Sequence, residues 1–245
     1  MELPINLVQW LLASLVILLG SLVQGSIGFG VALLGAPLLY LIEPALIPGP
    51  VIIAGMSLPL LILARDWRAV HFPDAGWALS GKLAGTTLAA LILSYISEAA
   101  LGMLFGTLVL AGVALSVWGR MPDPARHHIA VAGGLSGFMA TTTSIGGPPL
   151  AIAFQHFHGP RLRGTLSAIF VPGGVLSLTA LTVVGRLGVE EVLMGLALLP
   201  AIVVGFWASG HTVHLLDRQW LRPALLGVSA LAGLVAIVRA LLSWQ

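Results

Sequence analysis

Long apolar runs separated by very short polar interruptions fill the whole chain. Six runs approach the roughly 20 residues that one helix needs to cross the hydrocarbon core: 48–64, 76–96, 100–118, 164–185, 189–209 and 222–243. Two further stretches, 7–42 and 129–155, hold no charged residue, and each is long for one crossing and short for two. Both contain a cluster of helix breakers, at residues 25–30 in the first and 141–149 in the second. The pattern predicts a broken-helix hairpin at each break, either fully spanning or re-entrant. The expected fold class is therefore an all-α polytopic membrane protein of about 8–10 membrane segments.

Composition removes the soluble alternatives. The chain is 58% hydrophobic and 8% charged, whereas a soluble domain carries about 25% charged residues. The opening MELPINLVQW has no Lys or Arg, so residues 7–24 read as a retained membrane segment rather than a signal peptide. A net charge of +2 from scattered arginines forms no basic stripe, which argues against nucleic acid as a partner. The absence of cysteine excludes thiolate zinc and iron–sulfur ligation. Nothing calls for a cofactor, and no histidine cluster has the spacing of a metal site.

Loop charge sets the expected orientation. Arg65 and Arg68, Arg120 and Arg126, Arg161 and Arg163, and Arg218 and Arg222 mark one side, against Glu2, Glu43 and Glu98 on the other. Basic loops stay cytoplasmic. That rule holds if 7–42 and 128–158 each enter and leave on one side, which puts both termini outside the cytoplasmic membrane of a bacterium. Each half, 1–120 and 127–245, then has a broken hairpin followed by three spans, in opposite orientations. Internal similarity agrees. Gly25-Ser26-Ile27 and Gly35-Ala36-Pro37-Leu38 align with Gly137-Phe138-Met139 and Gly147-Pro148-Pro149-Leu150 at one offset of 112 residues. Inverted repeats with broken helices near the midplane are a recurring transporter architecture.

The candidate chemistry lies at the breaks. Thr141, Thr142, Thr143 and Ser144 precede Gly146, Gly147 and Pro148. Irregular backbone in a bilayer is tolerated where protein or a watery cavity satisfies it, and a new helix start presents free N–H groups. Hydroxyls and amides together would make a donor-rich pocket for a small anion. Gln24, Gly25, Ser26 and the backbone of Gly28 and Gly30 would complete it from the first half. Lys82 is placed near the start of its span, reaching back to the cytoplasmic face, so the pocket is expected to hold no charged side chain. The competing reading has the four hydroxyls bonded back to carbonyls of their own helix. Gln155, His156 and His158 are candidates for a gate or proton relay, or for interfacial caps beside Arg161 and Arg163. Gly81, Gly85, Gly102, Gly106 and Gly112 read as close helix packing.

GGLSGFMATTTSIGGPPLAIAF (133–154) resembles the signature of the sulfite exporter TauE/SafE permease family. VQGSIGFGVALLGAPLL (23–39) is similar to its first-half counterpart, and LPAIVVGFWAS (199–209) to its later Pro–Gly helix. Ala36 and the Thr triplet depart from the family pattern. The resemblance implies a secondary transporter, usually assigned as an exporter, of a small sulfur-containing anion such as sulfite, a sulfonate like sulfoacetate, or thiosulfate. The expected partners are that anion, the lipid bilayer and protons as an available coupling ion, in a monomer or homodimer. A passive anion channel and a membrane scaffold are the alternatives. An enzyme is not expected: Ser144 has no base close in sequence.

Overall fold

The computed structural model describes residues 5–27, 31–119, 124–212 and 218–242, with every regular element among them helical. In chain order the first half holds α1 (Leu7–Ile27), α2 (Val31–Ile42), α3 (Gly49–Gly55), α4 (Ser57–Asp66), α5 (Phe72–Tyr95) and α6 (Glu98–Trp118). The second holds α7 (Arg126–Thr143), α8 (Gly147–Ala153), α9 (Gly159–Val183), α10 (Val189–Ala197), α11 (Leu199–Thr212) and α12 (Arg218–Leu242). Among the described residues, six helical stretches are long and apolar enough to cross a bilayer: Gly49–Ala69, Phe72–Tyr95, Glu98–Trp118, Gly159–Val183, Val189–Ser209 and Pro223–Leu242. They coincide with the six expected runs to within a few residues.

Two of these spans are interrupted where the sequence puts a proline. Pro59 cannot donate to the Gly55 carbonyl, and α3 ends at Gly55. Pro200 cannot donate to Leu196, and α10 gives way to α11 around Leu198. Elsewhere the boundaries follow ordinary capping. The Ser97 hydroxyl accepts the Ala100 amide at 3.3 Å and opens α6. Pro73 and Asp74 occupy the first turn of α5.

Small residues let backbones touch. On the α5–α7 crossing, a Cβ at Gly81 would fall on the Ala130 carbonyl, and one at Gly85 on the Gly134 carbonyl. From the other side, Gly133 meets the Ala78 carbonyl and Gly137 that of Lys82. Gly106 sits against Gly233 and Ile237 where α6 crosses α12, and Gly205 against Leu18 and Ser21 where α11 crosses α1. Without a hydrophobic drive between helices in lipid, such close contact is the main source of cohesion. Leu83, Leu88, Leu91, Val203 and Leu231 instead face outward, each about half exposed or more, as a lipid-facing surface requires. Trp207, 72% exposed on α11, belongs to that outer surface.

The helix pairings come in exchanged sets. α7 packs on α5, and α1 packs on α11; α8 lies on α6, and α2 on α12; α9 meets α5, and α3 meets α10. The pairs α6–α12 and α4–α9 each join the two halves.

Candidate functional site

The break between α7 and α8 is built by its own sequence. Ser144 closes α7 in the left-handed region at φ 65°, ψ 0°, with its amide on the Ala140 carbonyl at 2.8 Å. A non-glycine residue there is held by its surroundings, and the Ser144 hydroxyl does this by donating to the Pro48 carbonyl at 2.9 Å. Gly146 follows in a position where a Cβ would meet Ala140 and Ser136. Then α8 starts at Gly147, with Pro148 and Pro149 supplying no amide donors to its first turn.

The hydroxyl row points into its own helix. Thr141 donates to the Gly137 carbonyl at 2.8 Å, Thr142 to Phe138 at 2.8 Å and Thr143 to Met139 at 2.7 Å. Thr143 also accepts the Ile145 amide at 3.2 Å. Thr141 is held within the protein: its oxygen lies 2.9 Å from the Ser177 hydroxyl on α9 and 3.3 Å from the Thr86 hydroxyl on α5. Its single proton is directed at both the Gly137 carbonyl and the Thr86 oxygen, and its own oxygen can accept from Ser177. The three threonines are fully buried and Ser144 partly so. In this arrangement their protons serve the protein, not a solute.

The charge missing from the sequence reading is Lys82. It is 2% exposed, deep among α5, α7 and α9. The expectation that it reaches back to the membrane surface, and with it that of an uncharged pocket, is corrected here. The reason is the helix start. α5 begins at Phe72, not at residue 76, so Lys82 is its eleventh residue of 24. That puts it about 15 Å along the axis, half the thickness of the hydrocarbon core. Pro73, a residue favoured in a first turn, is the signal that places the start correctly.

The Lys82 ammonium donates to the Ser136 hydroxyl at 3.3 Å, and Ser136 donates onward to the Gly146 carbonyl at 2.7 Å. A relay of hydrogen bonds therefore runs from the lysine to the helix break. The ammonium lies 5.5 Å from the centre of the Phe170 ring, and its methylene stem packs on Gly173, where a Cβ would have no room. Among the described residues no carboxylate forms an ion pair with it. An ammonium has three protons, and Ser136 takes one.

The other sequence candidates divide. Gly146, Gly147 and Pro148 form the break itself. Gln24, Gly25 and Ser26 lie in the last turns of α1, where side chains are outside the described residues, as are Gly28 and Gly30 altogether. The start of α2 does approach the second break, since Leu33 and Ala36 share one buried cluster with Ile145. Gln155, His156 and His158 sit at the α8–α9 joint, with both histidines exposed and His158 the residue preceding α9.

An ion-pair cluster joins the halves near one membrane face. Asp66, at the end of α4, is 8% exposed in its side chain and receives Arg163 at 3.1 Å and Arg65 at 3.0 Å. Close by, the His71 amide donates to the Thr165 hydroxyl at 3.0 Å. His71 Nδ1 lies 2.8 Å from Asp74, near enough for an ion pair but poorly aligned for N–H donation. Arg161 stacks on Phe157 at 4.0 Å. Both arginines are partly exposed, so Asp66→Ala should lower stability by only about 1–2 kcal/mol. A melting curve in detergent checks this, with Asp66→Glu recovering part of the loss.

The family model for the sulfite exporter TauE/SafE matches residues 13–236. The chain belongs to the sulfite exporter TauE/SafE family. Curated proteins and solved structures give no match. TauE/SafE proteins are membrane transporters of sulfite-type anions rather than enzymes, and six apolar spans make this one a multi-pass membrane protein. Within the TauE/SafE match lie both the 133–154 segment and Lys82.

Proposed function

We propose that this TauE/SafE protein is a secondary transporter that exports a small sulfur-containing anion, such as sulfite, a sulfonate or thiosulfate. It works by alternating access around a site at the junction of α5, α7 and α9, beside the α7–α8 break. The observation that carries this reading is the Lys82 ammonium, buried at mid-span beside the Ser136 hydroxyl, the Phe170 ring and Gly173, with no ion-pair partner among the described residues. A buried charge without a counter-ion is costly, and charges in membrane helices line pathways far more often than they serve packing. A substrate anion is the counter-ion such a group lacks.

The exchanged helix pairings support two inverted repeats, 1–120 and 127–245. Three contacts between the halves, α5–α7, α6–α8 and α5–α9, each have a counterpart with the halves exchanged, α1–α11, α2–α12 and α3–α10. A hairpin with no net crossing plus three spans reverses the orientation of the next repeat, and rocking of such repeats about a fixed site is the usual route to alternating access. With the basic loops taken as cytoplasmic, this arrangement supports a reading in which both termini are extracytoplasmic in a bacterial inner membrane. Protons remain available as the coupling ion, and the protein is a monomer or homodimer.

The test is uptake of radiolabelled sulfite into proteoliposomes. Saturable uptake that accelerates when unlabelled sulfite is loaded inside is the expected result. Uptake equal to that of protein-free vesicles would reject transport, and non-saturating flux with single-channel currents would make it a channel instead.

A further inference from the structure

Lys82 brings one positive charge to the junction, and among the described residues the groups around it are neutral: Ser136 on α7, and Phe170 and Gly173 on α9. One helical turn along α5, the hydroxyls of Thr86, Thr141 and Ser177 join the same three helices and are likewise neutral. Such a site responds unevenly to ligand charge. A monoanion leaves the loaded site with no net charge. A dianion of the same shape leaves one negative charge uncompensated away from water, and also surrenders a stronger hydration shell on entry. The Thr141 proton already serves the Gly137 carbonyl and the Ser177 hydroxyl is bonded to Thr141, so neither can supply the missing stabilisation without breaking an internal hydrogen bond.

We propose that this site selects singly charged sulfur oxyanions, namely bisulfite and sulfonates without a second charge, over dianions of the same shape, and that Lys82 sets the selectivity. The proposal rests on the transport reading above and narrows its substrate class. Within that class, thiosulfate and sulfoacetate, both dianions, are poor substrates. Bisulfite and simple alkanesulfonates are good ones.

Two pairs of competitors differ by one charge at nearly constant shape. Methanesulfonate and sulfate are one; the amide of sulfoacetate and sulfoacetate itself are the other. Each is added to the labelled-sulfite uptake assay with the unaltered protein at one neutral pH. The monoanion of each pair should inhibit at least about tenfold more strongly than its dianionic twin. In Lys82→Gln, assayed by binding in detergent, that preference should vanish. Dianions that inhibit as well as or better than their twins overturn the proposal, and so does a lack of inhibition by all four. In both cases the sulfite uptake measured alongside still decides the transport reading by itself.

Discussion

Replacing Lys82 with methionine should cut anion transport about a hundredfold and leave the protein as stable as before, or more so. Methionine matches the length and volume of the lysine stem, so packing against Gly173 is kept. Ser136 loses an incoming hydrogen bond, but its own proton stays on the Gly146 carbonyl, so no buried group is orphaned. What disappears is a buried charge with no ion-pair partner among the described residues, and removing such a charge is neutral or stabilising. A charge-assisted contact to substrate contributes about 3 kcal/mol, so transport should fall about a hundredfold. Uptake in proteoliposomes, beside a melting curve in detergent, separates the two effects. A several-degree fall in melting temperature with transport retained would make Lys82 a structural residue.

The second large effect concerns two adjacent glycines on α7. Gly133→Ala should prevent accumulation of folded protein, whereas Gly134→Ala should be tolerated. A Cβ at Gly133 lands on the Ala78 carbonyl, which is backbone of α5 and cannot turn aside. The two helices must then separate along the length that positions Lys82 beside Ser136. Overpacking against rigid backbone should cost about 3 kcal/mol. At Gly134 the nearest atom to a new Cβ is the Gly81 carbonyl oxygen at 3.4 Å, an ordinary contact. There the better helix propensity of alanine can offset any crowding, by up to about 1 kcal/mol. Size-exclusion profiles of the two purified variants decide between them, and equal behaviour would contradict the close α5–α7 crossing.

Much of the architecture can be read from the chain because apolar length alone reports a span. The span at residues 100–118 lies between Glu98 and Gly119, where charge and Gly interrupt the run, and α6 ends at Trp118. The second hairpin is equally legible, since Gly146, Gly147, Pro148 and Pro149 cannot continue α7. Pro59 and Pro200 interrupt two spans that read as continuous, because hydropathy runs straight through them. The site was harder for two physical reasons. The depth of Lys82 depends on where α5 starts, and four residues of helix shift it by about 6 Å. The direction of the Thr141–Thr143 hydroxyls depends on χ1, which either sends the proton back to the preceding turn or out to a solute. Sequence does not choose between those rotamers; the packing of Thr141 against Thr86 and Ser177 does. Pairs such as Asp66 with Arg163, 97 residues apart, have no local signal at all.

The location of the bound anion tests the substrate site most directly. Selenite, the heavier congener of sulfite, can be bound to the purified protein and found by its anomalous scattering in a crystal. A selenium peak with oxygens within hydrogen-bond reach of Lys82 Nζ, beside Ser136 and the α7–α8 break, is the expected result. A peak bound elsewhere in the membrane interior, with the Lys82 ammonium still touching only Ser136, would contradict it.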